Sequence, residues 1–226
     1  MARMPRLVVP GLPHHVTQRG SRRQPTFFGA DDFRRYLNVM AESRDRAGIE
    51  VWAYCLMPNH VHLLVVPARE DSLAVWFGEG HRRYSSAINQ REDWRGHLWQ
   101  ERFYSCVLDE RHLWAAGRYV ELNPVRAGLC ARPVDWPWSS ARAHLEGRDD
   151  ALARATPLLE RVGDWAAYLC TAPSADELEG LRRNARTGRP LGDDGFVRHI
   201  EQVTGRRVAP RPAGRPRSRR NPGTVY

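Results

Sequence analysis

Two histidines and, further along the chain, a tyrosine and an asparagine are the residues of this sequence whose types and spacing could carry out chemistry. His60 and His62 alternate along an apolar segment, and alternate residues of a β-strand project from the same face. Tyr119 and Asn123 are four residues apart, which places them on one face of a helix. Two imidazoles and an amide oxygen suit a divalent cation, Mg²⁺ or Mn²⁺, with positions left open for a phosphate oxygen.

Each of these residues also has a purely structural interpretation. Histidine tolerates half-burial on a sheet, and a tyrosine on a helix commonly packs in a core. Asn123 precedes Pro124, and the residue before a proline commonly ends a helix. The joint occurrence of the histidine pair, the Tyr-x-x-x-Asn-Pro pattern and arginine-rich chain ends favours the chemical interpretation.

The hydrophobic pattern predicts elements that could position these side chains, in the order β-α-β-β-α-β-α. Pro58-Asn59 is a turn dipeptide, so the second and third strands should pair as an antiparallel hairpin. The order predicts an α+β fold with a ferredoxin-like (split βαβ) antiparallel sheet and an added helix that carries Tyr119. The predicted strands cover residues 14–19, 49–57, 60–66 and 98–108, and the predicted helices cover 31–48, 72–89 and 112–122.

Length and composition indicate one domain with an appendage, since 226 residues with 42% hydrophobic side chains can form a substantial core. We expect a catalytic domain over residues 1–145, a helical extension over 146–185 and a largely flexible Arg/Pro/Gly-rich basic tail over 186–226. The sequence contains neither an apolar run of about 18 residues nor the pattern of a secretory signal. We therefore expect no membrane partner and a cytoplasmic location.

The positive charge is concentrated at the end of the chain. Residues 1–180 contain as many acidic as basic residues, so the net charge of +9 resides in residues 181–226, and every basic residue is arginine. Clustered arginine indicates a polyanionic partner, and nucleic acid is the first expectation. Six arginines near predicted strand ends or helix surfaces are predicted to contact DNA: Arg19, Arg22, Arg23, Arg82, Arg83 and Arg102.

Three separated segments, MPNHVHLLVVP, GHLWQERFYSCVLDE and RYVELNPVRAGL, follow one another in an order that resembles the REP-associated tyrosine transposases. These are single-tyrosine members of the HUH endonuclease superfamily, named for the His-hydrophobe-His motif. The resemblance covers about residues 5–145. It implies that Tyr119 is the nucleophile and that His60, His62 and Asn123 bind the metal, although some members of the superfamily have glutamine in place of Asn123.

The same resemblance implies the reaction and the partner. It implies cleavage and rejoining of single-stranded DNA beside a hairpin-forming palindrome, through a 5′-phosphotyrosine intermediate. The expected partner is single-stranded or hairpin DNA, and the expected oligomeric state is a monomer or a homodimer.

Two other functions remain open on the sequence alone. A two-histidine phosphodiesterase needs two His-x-Thr/Ser motifs, and His15-Val16-Thr17 supplies one while a second is missing. A non-catalytic nucleic-acid-binding module could use the same sheet, but the aromatic platform of an RNA-recognition motif has no counterpart in the sequence.

Overall fold

The sheet is antiparallel in a computed structural model that describes residues 6–171 and 173–209, and the four strands lie side by side in the order second, third, first and fourth of the chain. The second and third strands form the predicted hairpin, and the first strand pairs with both the third and the fourth. The ferredoxin-like prediction is therefore confirmed. The strands are β1 (His14–Arg19), β2 (Ile49–Met57), β3 (His60–Pro67) and β4 (Tyr104–Val107).

Two long helices, α1 (Ala30–Ala47) and α2 (Ser72–Arg91), cover one face of the sheet. They pack closely because Gly80 has no side chain: a Cβ there would lie 2.3 Å from the Met40 sulfur. Trp76 is fully buried between them and donates its indole N–H to the Met40 carbonyl at 2.9 Å. This face forms the larger part of the apolar core.

The other face carries α3 (Glu110–Glu121) and, directly after it, α4 (Asn123–Arg126). The fully buried carboxylate of Glu121 accepts hydrogen bonds from Ser140 Oγ at 2.6 Å, His144 Nδ1 at 2.5 Å and Trp165 Nε1 at 2.8 Å. A buried carboxylate with three donors is well satisfied, so it ties α3 to two later helices. These are α5 (Ala141–Glu146) and α7 (Trp165–Cys170), with α6 (Thr156–Val162) between them.

The last strand is shorter than the predicted 98–108. A bridge from Trp99 to Gly20 begins the pairing, but the backbone then leaves the sheet, and Glu101 adopts a left-handed conformation with φ of 51°. The side-chain amide of Gln18 fills the gap, because it donates to the carbonyls of Gln100 at 3.0 Å and Glu101 at 3.2 Å. Regular pairing resumes only at Tyr104.

The prediction of a flexible tail from residue 186 is wrong for residues 186–209. This segment completes α8 (Ala175–Thr187) and forms α9 (Asp194–Thr204). Ile200 and Val208 are buried against Leu7, so apolar side chains anchor the segment to the fold. The rest of the predicted tail, 210–226, lies outside the described residues. None of the helices in the described part of the chain is long and apolar enough to cross a membrane.

Candidate active site

A cavity of about 430 Å³ opens on the sheet face that α3 covers, and it contains Tyr119 together with His60 and His62. Arginines line it, and none of its described lining residues is acidic. The other lining residues come from β1 and the turn after it, from the segment that leads into β4 and the first residue of β4, and from α8: His15, Thr17, Gln18, Arg19, Arg23, Gln100, Tyr104, Leu181, Arg182, Ala185 and Arg186. The cleft therefore favours a polyanion.

Asn59 determines the tautomer of His60. The Asn59 side-chain nitrogen donates to the Arg23 carbonyl at 2.9 Å, so the Asn59 oxygen faces His60 Nδ1, 2.6 Å away. An amide oxygen only accepts, so Nδ1 carries the proton and donates. The lone pair of His60 is consequently on Nε2, as a metal ligand requires.

His62 is held in a similar way by His15, whose only predicted role was in an incomplete phosphodiesterase motif. His15 stacks on His62 with ring centroids 5.3 Å apart, and His15 Nε2 lies 3.1 Å from His62 Nδ1. If His62 offers Nε2 to a cation, its Nδ1 must carry the proton and donate to His15. His15 would then act as the acceptor that orients His62. Strand alternation places His15 on the same face as Thr17 and Arg19, but only the pairing of β1 with β3 brings it to His62.

The imidazoles of the cleft are neutral at physiological pH. Burial, followed by the charge of Arg19, lowers the pKa of His60 to about 4. Burial also lowers the pKa of His62 well below its usual range, with further contributions from His60 and His15. The pKa of His15 is lowered to about 4 by burial alone. Neutral imidazoles keep their lone pairs available for a cation.

Tyr119 lies against the histidines with only 7% of its surface exposed. Its ring meets the ring of His62 edge-on, with centroids 5.4 Å apart. The Arg126 guanidinium lies 4.8 Å from the Tyr119 ring centroid. Arg19 is also close enough to interact: burial and then Arg23 lower the pKa of its guanidinium, and Tyr119 acts in the opposite direction. Two cations thus stand ready to stabilise a phenolate. Arg126 has no sequence signal beyond its distance of seven residues from Tyr119.

Asn123 is buried one helical turn beyond Tyr119, and its side-chain nitrogen donates to the Tyr119 carbonyl at 2.9 Å. This bond leaves the amide oxygen as the group that could bind a cation. Asn123 is not among the described residues that line the cleft, and no group of three or more His, Cys, Asp or Glu side chains in the described chain could hold a metal ion. The donor chemistry of His60 and His62 fits a divalent cation, while the third ligand stays a prediction.

One helix of the predicted extension forms a wall of this site. Arg182 and Arg186 on α8 line the cleft one helical turn apart. A mostly buried ion pair holds α8 in place: Arg118 on α3 donates to Glu177 at 3.0 Å. Sequence reasoning missed these arginines because it assigned Arg182 to a separate helical extension, 146–185, and Arg186 to a flexible tail, 186–226.

The six arginines predicted to bind DNA separate into three groups. Arg19 and Arg23 line the cleft of Tyr119. Arg22, Arg82 and Arg102 line other cavities, Arg22 one that involves the end of α2 and Arg82 and Arg102 one on the opposite sheet face. Arg83 instead donates to Glu42 at 2.7 Å on the outer surface of α1 and α2. The first five remain predicted DNA contacts, and Arg83 has the weakest case.

The fold and the cleft are consistent with the transposases that the sequence motifs resemble, and sequence comparison shows the family. The family described as "Transposase IS200 like" matches residues 8–123, just over half of the chain, and the chain belongs to that family. The match spans the sheet, both core helices and the whole Tyr119–Asn123 helix turn.

Within the family, the chain is similar to REP-associated tyrosine transposases, which confirms the resemblance found in its motifs. It is 24% identical over 121 residues to such a protein of Haemophilus influenzae, covering 49% of this chain and 69% of the relative. It is 23% identical over 103 residues to the REP-associated tyrosine transposase of Escherichia coli, covering 45% and 59% respectively.

A solved structure shares the fold. It is described as "Structure of the REP associates tyrosine transposase bound to a REP hairpin" and has a TM-score of 0.56 at 18% identity, covering 67% of this chain and 90% of that one.

Proposed function

We propose that this transposase cleaves and rejoins single-stranded DNA next to a palindrome that folds as a hairpin, with Tyr119 as the nucleophile. The observation that carries the proposal is the position of Tyr119, edge-on to neutral His62 in a cleft lined by arginines. In the solved relative the bound DNA is a REP hairpin, and we extend that class of substrate to this chain. With genomic DNA as the substrate, the compartment would be the cytoplasm.

The reaction exchanges one phosphoester bond for another. The Tyr119 oxygen loses its proton and attacks the phosphorus, the bond from phosphorus to the 3′ oxygen breaks, and that oxygen leaves as a 3′-hydroxyl. The product is DNA joined to Tyr119 through its 5′ phosphate. Because the phosphoester bond is conserved, a second 3′-hydroxyl can reverse the step and join a new strand without ATP.

The described residues have separate tasks in this scheme. Arg126 and Arg19 stabilise the negative charge on the Tyr119 oxygen, and Arg182 and Arg186 hold the phosphates of the strand. Asn59 and His15 orient the two imidazoles. In this scheme the Tyr119 phenol lies beside the phosphate that the cleft binds.

His60, His62 and Asn123 would hold a divalent metal, Mg²⁺ or Mn²⁺. When bound, such a cation polarises the scissile phosphate and neutralises the charge that develops on it. The neutral state of both imidazoles and the free Nε2 of His60 support this assignment.

The test is a cleavage assay with a labelled hairpin that carries a single-stranded flank, in the presence of Mn²⁺. The wild-type chain should release a fragment of defined length, and His60→Ala should abolish release while leaving DNA affinity within about threefold. His199→Ala is the matched control, because His199 is exposed on α9, outside the cleft. If cleavage is undiminished in EDTA, the proposed metal requirement is wrong. If His60→Ala cleaves as well as the wild type, the assignment of His60 as a metal ligand is wrong.

A further inference from the structure

A second cavity, of about 450 Å³, lies on the side of the sheet that α1 and α2 cover, between residues 74–85 of α2 and residues 96–103. Its walls are aromatic. His81 stacks on Trp99 with ring centroids 4.4 Å apart, and Phe77 stacks on Phe103 at 4.6 Å. A cavity of this size with flat walls suits a planar aromatic ligand.

Gln18 places an unsatisfied hydrogen-bond acceptor on the wall of this cavity. Its side chain is only 2% exposed, and its amide nitrogen is fixed by two carbonyl acceptors, those of Gln100 and Glu101. The amide cannot be flipped without placing its oxygen against those carbonyl oxygens. Its oxygen is left with no partner among the described residues. A buried acceptor without a donor is destabilising, so a ligand N–H that reached it would be stabilising.

Trp99 supplies the complementary group. Its indole N–H is also buried without a partner among the described residues, although the ring itself lines the cavity. Gln18 and Trp99 both line the cavity, and each carries a buried polar atom without a partner among the described residues, one an acceptor and the other a donor. A nucleobase has this combination of a flat aromatic body and N–H and acceptor groups at its edge.

The charge around the cavity suits the phosphates that accompany a base. Arg6, Arg82 and Arg102 line it together with Glu101, the one acidic side chain among its described lining residues. The Arg6 guanidinium lies 3.8 Å from the centroid of the Phe103 ring. An excess of arginine over acid favours an anionic ligand.

The cavity adjoins the Tyr119 cleft through the end of β1. Gln18 lines both cavities. Of the two residues whose carbonyls accept its hydrogen bonds, Gln100 lines the cleft and Glu101 lines the second cavity. One DNA strand could therefore occupy both, with its backbone in the cleft and a base on the other side of the sheet edge.

We propose that this second cavity binds one unpaired nucleobase of the DNA strand that Tyr119 cleaves, stacked among the aromatic rings with a base N–H donated to the Gln18 oxygen. This rests on the function proposed above in taking DNA as the substrate. It adds a specificity-determining site that is separate from the reacting groups.

The cavity can be filled without disturbing its hydrogen bonds. Gly78 lies on the α2 wall, and a Cβ added there would meet no atom within 4 Å. Gly78→Leu should therefore occupy the space intended for the base, and it removes a glycine from a helix interior, which favours folding. Gly78→Ala is the matched control, because it makes the same backbone change and leaves most of the cavity open.

The experiment measures binding of hairpin DNA with a single-stranded flank to the full chain carrying Tyr119→Phe, so that no cleavage occurs. An abasic nucleotide is moved through the flank one position at a time. We expect one position at which it weakens binding about tenfold or more, since stacking of a base on aromatic rings contributes on this scale. In the Gly78→Leu background that penalty should fall below about twofold, and in Gly78→Ala it should persist.

Two results would overturn the proposal: no abasic position costs more than about threefold in the Tyr119→Phe chain, or the penalty persists unchanged in Gly78→Leu. The first result is obtained without a cavity variant, so it tests the proposal even if Gly78→Leu folds poorly. Failure here is distinguishable from failure of the proposed reaction, since binding is measured without cleavage. If the chain shows the abasic penalty but the wild type never cleaves DNA, the base-binding site is supported and the proposed reaction is wrong.

Discussion

His14 should make the protein sensitive to mild acid. Its ring is fully buried, Nδ1 donates to the Leu12 carbonyl at 2.8 Å, and Nε2 accepts from the Val9 N–H at 3.2 Å. Both ring nitrogens are therefore used by the neutral form. A second proton would point Nε2–H at the Val9 N–H and place a charge in the core. Burial lowers the pKa of His14 from 6.5 to about 4, although the bond to Leu12 opposes this.

The direction of the effect follows from proton binding. Between pH 6.5 and 4 the unfolded chain binds a proton at His14 that the folded chain does not, so acid favours unfolding. The folded state has its full stability above pH 6.5 and loses it as the pH falls. For a pKa that drops from 6.5 to about 4, the loss is about 2 kcal/mol at pH 5 and about 3 kcal/mol below pH 4.

Denaturant unfolding at pH 7.5 and pH 5 measures this contribution. His14→Gln keeps one donor and one acceptor but cannot take up the proton, so its stability should fall by about 2 kcal/mol less than that of the wild type between the two pH values. His199→Gln, at an exposed position, should follow the wild type. Equal losses in the wild type and His14→Gln would refute the reasoning.

Three further substitutions test the packing and the cleft. Gly117→Ala should lower the free energy of unfolding by about 1 kcal/mol in denaturant titrations, since its Cβ would lie 2.9 Å from the Trp165 ring and overpacking outweighs the gain in helix propensity; an unchanged midpoint would contradict the close packing. His15→Phe removes the acceptor facing His62, so calorimetric titration should show Mn²⁺ affinity reduced about 10- to 100-fold, and unchanged affinity would exclude an orienting role. Arg126→Gln should slow single-turnover cleavage about tenfold by removing the cation over the Tyr119 ring, whereas a rate equal to the wild type would leave Arg19 as the stabilising charge.

The sheet could be predicted because its signals are local. Alternating apolar residues, a Pro-Asn turn and glycine helix stops are readable in short segments, and the hairpin and both core helices lie close to their predicted bounds. The break before Tyr104 could not be predicted, because it depends on a side chain of another strand, Gln18, taking over two carbonyls. The fold of residues 188–209 was missed because the segment is rich in arginine, proline and glycine. Its few buried apolar residues, among them Ile200, are too sparse to give a clear hydrophobic pattern.

The site was predictable where residues are close in sequence. The faces shared by His60 and His62, and by Tyr119 and Asn123, follow from strand and helix periodicity. The contributions of His15 and Arg182 depend on strand pairing and on the packing of α8, which no local pattern encodes. The hydrogen bond that fixes the His60 tautomer was also beyond the sequence, because it depends on the Arg23 carbonyl orienting Asn59.

The most direct test of the central claim is to identify the amino acid that becomes attached to DNA. The full chain is incubated with Mn²⁺ and a hairpin carrying a single-stranded flank, digested with protease and nuclease, and analysed by mass spectrometry. We predict a nucleotide joined through its 5′ phosphate to the peptide that contains Tyr119, and no adduct in Tyr119→Phe. An adduct on another residue, or cleavage by Tyr119→Phe at the wild-type rate, would contradict the account.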